Sequence, residues 1–401
     1  MKVLVAAYAC EPGKGSEPEV GLKVVLAAAE RHDVWVLTRD NNVAALEEFL
    51  EGHALRGRIH IESLDLPGPS LRLKRWGQPG MQWYYDRWQR RAGEVARELD
   101  RTIDFDVVHH ATFASYWGRA GVADVGKPIV WGPVGGGVEL PLRFLATVGI
   151  RGLLDEIRRL SLRRLMSMRP AVRSVARNAD VALVQNRETA DRIARHRSGP
   201  VIVMPNATAV GPLDLDRDEV GRGSDVVFAA RLIPWKGAIL AVEAMRHVTH
   251  PDARLRMFGS GPEARRLAKA IRNGGLENTV ELCGQVPRNE LIRTIAGAGV
   301  LIHPALHEEA GLVVAEALAS NTPVVTLRRG GPTELAARFA DSPSETIEVT
   351  TPDAVARRMG AAVDRYLHGT PFPVEERTAS PTFAETILKA YETAVEDHTT
   401  V

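Results

Sequence analysis

The stretch Val300-Leu301-Ile302-His303-Pro304-Ala305-Leu306-His307-Glu308-Glu309-Ala310-Gly311-Leu312-Val313-Val314-Ala315-Glu316-Ala317-Leu318-Ala319 decides the fold. Its first four residues are a short apolar run of strand character. A Pro304-to-Gly311 turn rich in polar groups follows, and then a helix-forming run with Glu316 about one turn inside it. The same unit recurs in both directions. Candidate strands upstream are Lys2–Tyr8, Val34–Thr38, Arg58–Glu62, Val107–His110, Ile129–Trp131, Val181–Gln185, Val201–Pro205, Val226–Ala230, Leu255–Phe258 and Val280–Cys283, and Val324–Thr326 lies downstream. Helical patterns separate them, as at Leu240, Ala241, Ala244, Met245 and Val248. Repeated strand–helix units imply parallel sheets covered by helices on both faces. A polar, turn-rich segment, Gly211 to Asp218, interrupts the series, with five or more units on either side. The expected fold is therefore α/β, with two Rossmann-like doubly wound domains. Residues 1–207 form the first, 208–380 the second, and 381–401 a last segment with a helix over Phe383–Val395. Ligands of such sheets bind beyond the carboxyl ends of the strands, so two such domains face to face make an interdomain cleft.

Composition narrows the function. The chain has 401 residues, 45% of them apolar and 25% charged, which is ordinary for a globular protein and suits two or three domains. Lys and Arg total 51 against 50 Asp and Glu, so no global basic footprint for nucleic acid exists. Cys10 and Cys283 are too few for a disulfide framework or a zinc knuckle, which fits a reducing cytoplasm. The apolar start Met1–Tyr8 is short and is broken by Glu11, Pro12 and Gly13, unlike a signal peptide. No run of about 18 apolar residues suggests a membrane span.

Glycine and charge patterns mark candidate binding loops. After the first strand comes Ala9-Cys10-Glu11-Pro12-Gly13-Lys14-Gly15-Ser16-Glu17-Pro18-Glu19-Val20-Gly21, where Gly15 and Ser16 open a helix and backbone N–H groups can meet an anion. A second run, Trp131-Gly132-Pro133-Val134-Gly135-Gly136-Gly137, follows another strand. In the second half, Val226–Ala230 leads into Arg231-Leu232-Ile233-Pro234-Trp235-Lys236-Gly237, two cations suited to a pyrophosphate. Gly259 and Gly261 sit in a similar turn. Glu308 and Glu316 are eight apart, and the N–H groups near Gly311, Leu312 and Val313 point into the same space. Cations for phosphate, N–H groups for phosphate and carboxylates for sugar hydroxyls suit a nucleotide-sugar.

Residues 226–334 resemble the donor domain of glycosyltransferase family 4, whose members are retaining enzymes of GT-B fold. The resemblance rests on Arg231 through Lys236-Gly237, Gly259-Ser260-Gly261-Pro262, the glutamate pair and Gly330-Gly331, and the two amino-terminal glycine runs resemble a bacterial subgroup. It implies that Arg231 and Lys236 neutralise the donor diphosphate and that Glu316 binds the ribose. It places Glu308 at the donor sugar or reaction centre, Gly311, Leu312 and Val313 at phosphate or sugar, and Val286 beside the base. Asn206 matches a hinge motif in which Ala207 replaces the usual glycine. Glu309 replaces the glycine that usually follows the first glutamate, so Glu308 and Glu309 compete for one role, with spacing favouring Glu308. A histidine near sugar and acceptor is expected at His109, with His110 the alternative. The resemblance also implies a final helix that crosses back to the N-terminal domain, and catalysis with no metal and no cofactor beyond the donor.

Other readings of the residues are weaker. His303 and His307 are four apart but straddle a strand end and a proline, so a metal pair is not expected. Asp104-x-Asp106 runs into a strand, and Asp214-x-Asp216 is linker. Leu71–Arg91 carries six basic residues, one acid and five aromatic rings, and Arg151–Arg173 seven arginines against two acids. Both suit either a solvated helix or peripheral contact with a membrane or an anionic lipid-linked acceptor. The expected activity is hexosyl transfer from a UDP- or GDP-linked sugar to a hydroxyl of a saccharide, lipid-linked saccharide or small metabolite, in polysaccharide, glycolipid or natural-product glycoside synthesis. The alternatives are a sugar-nucleotide epimerase or hydrolase and a non-catalytic nucleotide-sugar-binding module.

Overall fold

A computed structural model describes residues 1–74, 76–209, 223–339, 342–369 and 381–398, so the linker expected at Gly211–Asp218 lies outside the described residues. The chain forms two compact units. Unit 1 comprises residues 1–137, 161–209 and 381–401, and unit 2 residues 138–160 and 210–380.

Unit 1 holds seven strands: β1 (Lys2–Ala6), β2 (Asp33–Thr38), β3 (Ile59–Ser63), β4 (Val107–His110), β5 (Ile129–Val134), β6 (Val181–Val184) and β7 (Val201–Val203). All pair in parallel, in the order β3-β2-β1-β4-β5-β6-β7. Both faces are covered, which explains the unbroken apolar runs in the sequence. Val3 and Val5 of β1 point into one core layer, and Leu4 and Ala6 into the other. The final helix, Phe383–His398, closes the first layer with Ile387, Ala390, Tyr391 and Ala394.

Unit 2 holds β8 (Asp225–Ala229), β9 (Arg254–Phe258), β10 (Val280–Gly284), β11 (Val300–His303), β12 (Val324–Leu327) and β13 (Ser344–Ile347), again parallel, in the order β10-β9-β8-β11-β12-β13. In each sheet the order reverses once, between β1 and β4 and between β8 and β11. These reversals are the topological switch points at which such sheets bind ligands.

Three features depart from the sequence reading. Strand β13 was not anticipated: it is an edge strand with one sheet neighbour, β12, and its Ser-Glu-Thr-Ile carries a single apolar residue. The helix expected to include Val248 is Ala238–Met245; Val248 lies past its end but still packs on the core. Residues 138–160, assigned from sequence to the first half, group with unit 2, where Phe144 and Val148 join its core.

Candidate active site

The loops after β8, β9 and β11 meet at the carboxyl edge of the second sheet. Leu232 N–H donates to the Ser260 carbonyl at 2.9 Å, and Glu263 N–H returns to the Leu232 carbonyl at 3.0 Å. This holds the Arg231 loop against the turn of Gly259 and Gly261. On the other side, Leu306 N–H donates to the Trp235 carbonyl at 2.9 Å. Gly237 lets the two loops approach: its φ is +69°, and a Cβ there would stand 2.0 Å from the Pro304 carbonyl oxygen. Gly330 does the same for the glutamate loop, since its φ is +61° and an added Cβ would stand 2.0 Å from the Glu308 carbonyl oxygen.

This packing delivers Lys236 Nζ to Glu308 Oε2 as a direct ion pair. His303, at the end of β11, places Nε2 3.4 Å from the same oxygen. Both ring nitrogens of His303 are buried with no hydrogen-bond partner among the described residues. Burial alone would raise the pKa of the Glu308 carboxyl, but the neighbouring His303 ring and the Lys236 charge outweigh it and hold the group far below the usual carboxylate range. Glu308 is therefore a fixed anion at neutral pH. Arg231 is exposed, and its side chain has no partner among the described residues. Gly311, with φ +80°, caps the helix Leu312–Ala319, and no side chain caps the first N–H groups of Leu312 and Val313.

The other expected residues are placed as follows. Glu316 is buried and accepts from Arg288 Nε at 3.2 Å and Nη2 at 2.7 Å. Sequence reasoning did not find Arg288, because nothing in the chain links residues 28 apart. Val286 is half-buried, just before the helix Arg288–Ala296. Glu309, the departure from the family pattern, turns away from Glu308: its Oε1 accepts from the Val138 N–H at 3.2 Å and lies 3.4 Å from His307 Nε2. Arg329 donates to the Glu139 carbonyl, so both anchor residues 138–139 inside unit 2. Among the described residues, no group of three His, Cys, Asp or Glu is arranged to hold a metal.

In unit 1 the loops at the switch point are also joined. Ala9 N–H donates to Thr112 Oγ1 at 3.1 Å, and Phe113 N–H to Glu17 Oε2 at 2.9 Å. Burial raises the Glu17 carboxyl pKa, against the lowering effect of the Phe113 N–H. Gly15, with φ +60°, precedes the helix Ser16–Ala29, so the helix start expected at Ser16 is present. His109, expected near sugar and acceptor, has both ring nitrogens engaged: Nδ1 lies 2.8 Å from Tyr391 Oη, and Nε2 2.7 Å from the Gly132 carbonyl. The ring is fully buried, which lowers its pKa to about 4, although the Gly132 bond works to raise it. A carbonyl only accepts, so Nε2 carries the hydrogen and Nδ1 accepts from the tyrosine. His109 thus ties β4 to the final helix. His110 points to the opposite face, where Nε2 is 3.3 Å from Tyr85 Oη and Nδ1 has no hydrogen-bond partner among the described residues.

Two parallel doubly wound sheets, each with its switch point, define the GT-B fold. Residues 217–367 match the family described as glycosyl transferases group 1. An exopolysaccharide phosphotransferase of Streptomyces coelicolor is 34% identical over 145 residues, which is 34% of this chain and 15% of that protein. A D-inositol 3-phosphate glycosyltransferase of Corynebacterium aurimucosum is 26% identical over 259 residues, 57% of each. The chain thus matches little more than half the length of one curated relative and far less of the other. The crystal structure of Anabaena HepE in complex with UDP-glucose superposes over 100% of both chains with a TM-score of 0.50 and 16% identity. These findings show a GT-B fold for the chain and a likeness to glycosyl transferases group 1 over residues 217–367.

Proposed function

We propose that this protein is a retaining glycosyltransferase of family 4 that moves a hexosyl group from a nucleoside-diphosphate sugar to a hydroxyl acceptor. The observation that carries the reading is the Lys236–Glu308 pair at the β8/β11 switch point, flanked by Arg231, whose side chain has no partner among the described residues, and by the uncapped helix start at Leu312. Arg231 and Lys236 take the diphosphate, and the Leu312 and Val313 N–H groups meet its oxygens. Glu308 faces the sugar, and Glu316 exchanges Arg288 for the ribose hydroxyls. Gly259 and Gly261 let the backbone approach, and Val286 flanks the base.

The anomeric carbon–oxygen bond to the diphosphate breaks as the acceptor oxygen bonds to the same carbon. The acceptor proton passes to the departing phosphate, and the two cations stabilise the charge that develops there. No metal and no protein base is needed for this sequence, consistent with a buried His109. Unit 1 takes the acceptor, with the Gly15–Ser16 turn at its switch point. A saccharide or lipid-linked saccharide in polysaccharide or glycolipid synthesis fits this role. The reducing cytoplasm fits two free cysteines, Cys10 and Cys283. The complex of HepE with UDP-glucose makes uridine donors the first to try.

The test is incubation with UDP- and GDP-hexoses and a panel of hydroxyl acceptors, with products followed by NMR at the anomeric proton. Transfer with the donor's own anomeric configuration is the expected result. Inverted product, or epimerised or hydrolysed donor in the presence of acceptor, would overturn the proposal.

A further inference from the structure

Two ion pairs stand at the carboxyl edge of the second sheet, and they are built differently. Lys236 and Glu308 are both largely enclosed. Arg288 and Glu316 are unequal: the carboxylate side chain is 10% exposed and the arginine side chain 54%. Glu316 lies on the helix Leu312–Ala319, where its neighbours Val314, Ala315 and Ala317 are fully buried. Its carboxylate therefore stays where the helix puts it. Arg288 is the first residue of the adjacent helix Arg288–Ala296, directly after Pro287. It crosses to Glu316 on a long, half-solvated stem that can swing into water at little cost.

The contacts of this pair are also lopsided. Arg288 Nε at 3.2 Å and Nη2 at 2.7 Å both donate to Oε1 of Glu316. No described side chain donates to Oε2. An arginine that serves only as a brace gains most by placing one N–H on each carboxylate oxygen, and this one forgoes that arrangement. A vicinal diol uses a carboxylate in the other way, with one hydroxyl on each oxygen. The first hydroxyl of a ribose thus finds Oε2 accessible, whereas the second reaches Oε1 only after Arg288 has left it.

We infer that Arg288 is an internal competitor of the donor ribose, which neutralises Glu316 in the free protein, yields Oε1 to the second ribose hydroxyl, and so sets how strongly the site tells ribose from deoxyribose. This rests on the donor reading proposed above, in which Glu316 meets the ribose. The carboxylate keeps a partner at every stage, so the buried charge is not stranded when nucleotide leaves. The exchange weakens the grip on the ribose, because the affinity is reduced by the fraction of molecules in which Arg288 still holds Oε1. Arg288 is thus a specificity-determining residue that acts through Glu316.

The test is titration calorimetry of the full chain with UDP and 2′-deoxy-UDP, and with GDP and 2′-deoxy-GDP. Wild type, Arg288→Ala, Arg288→Lys and the double variant Arg288→Ala/Glu316→Gln are compared. The quantity read is the ratio of ribo to deoxy affinity, in which the contributions of base and diphosphate cancel. That ratio is expected to rise at least ~10-fold from wild type to Arg288→Ala, the scale of one hydrogen bond to a charged group. Arg288→Lys, which keeps a charge on the arm, restores most of the wild-type ratio, and the double variant loses the gain. A second measurement needs no neutral variant: hydrogen exchange at Arg288 Nε in wild type, its NMR signal assigned by its loss in Arg288→Lys. Exchange should quicken at least ~5-fold when the ribonucleotide is bound, and much less with the deoxy form. A mere brace between the two helices gives another pattern, in which Arg288→Ala melts lower, both nucleotides weaken alike and the ratio holds. That pattern, or exchange at Nε that ignores the ribonucleotide, would overturn the inference and leave the diphosphate seat standing. If wild type binds neither UDP nor GDP, the donor reading fails first and the inference falls with it.

Discussion

Replacing Lys236 by Met tests the pair on which the proposed donor site is built. The side chains of Lys236 and Glu308 are 16% and 15% exposed, so the pair is largely but not wholly removed from water. Breaking a fully buried pair costs about 3–5 kcal/mol, because one charge is left unpaired. Residual solvation reduces this to about 2–4 kcal/mol for Lys236→Met. Glu308→Gln in the same background removes the stranded charge, and the double variant recovers about 2 kcal/mol of coupling. The sign with pH follows from the carboxyl. Its folded pKa lies below its unfolded value, so its stabilisation is present above about pH 4.3 and is lost as pH falls toward the folded value. The assay is urea unfolding of wild type, both single variants and the double variant, near neutral pH and again in acid. Coupling below about 0.5 kcal/mol near neutrality, or coupling that grows in acid, would refute the reasoning. Turnover of the donor by Lys236→Met is expected to fall at least ~100-fold, the scale of one lost charge-stabilising group.

Gly237→Ala forces a left-handed φ on alanine and drives its Cβ into the Pro304 carbonyl, so a loss of at least about 3 kcal/mol in thermal unfolding is expected, with nucleotide binding lost in parallel. His109, with a pKa near 4 when folded and near 6.5 when unfolded, stays neutral in the native state. It gives up to about 3 kcal/mol above pH 6.5, which is lost between there and about pH 4; His110, lowered to about 3, adds to the same slope, and His109→Gln flattens part of it in a stability-versus-pH series. Glu309→Gly frees the Val138 amide and should speed its hydrogen exchange at least ~10-fold, while Glu309→Gln keeps an acceptor there and leaves exchange and turnover near wild type.

Most of the sheet architecture is legible because its strands are buried on both faces, so β1, β11 and β12 read as mostly apolar runs. Strand β13 is illegible for the converse reason: an edge position asks for little apolar surface. The motif residues Lys236, Glu308 and Gly311 are visible as glycine and charge at strand ends. Their mutual contacts are not, because loops joined by Gly237 and Gly330 are 72 residues apart at the Lys236–Glu308 pair. Arg288 and His303 have no local signal for the carboxylates they address. The direction of His109 turned on which face of β4 carries the final helix, a tertiary fact. The helix Leu145–Ser167 shows the limit most plainly: its apolar residues recur at helical spacing, which alone implies a core face, yet Ile150, Leu154 and Ile157 are exposed.

The proposed activity requires a seat for two linked phosphates at Arg231 and Lys236. Titration calorimetry of wild type, Arg231→Ala and Lys236→Ala with a nucleoside diphosphate and its monophosphate measures this directly. Wild type is expected to prefer the diphosphate at least ~10-fold, and either substitution to abolish most of that preference, since each removes a charge-assisted contact of about 1.5–3 kcal/mol. Equal affinity of wild type for both nucleotides, or an undiminished preference in both variants, would contradict it.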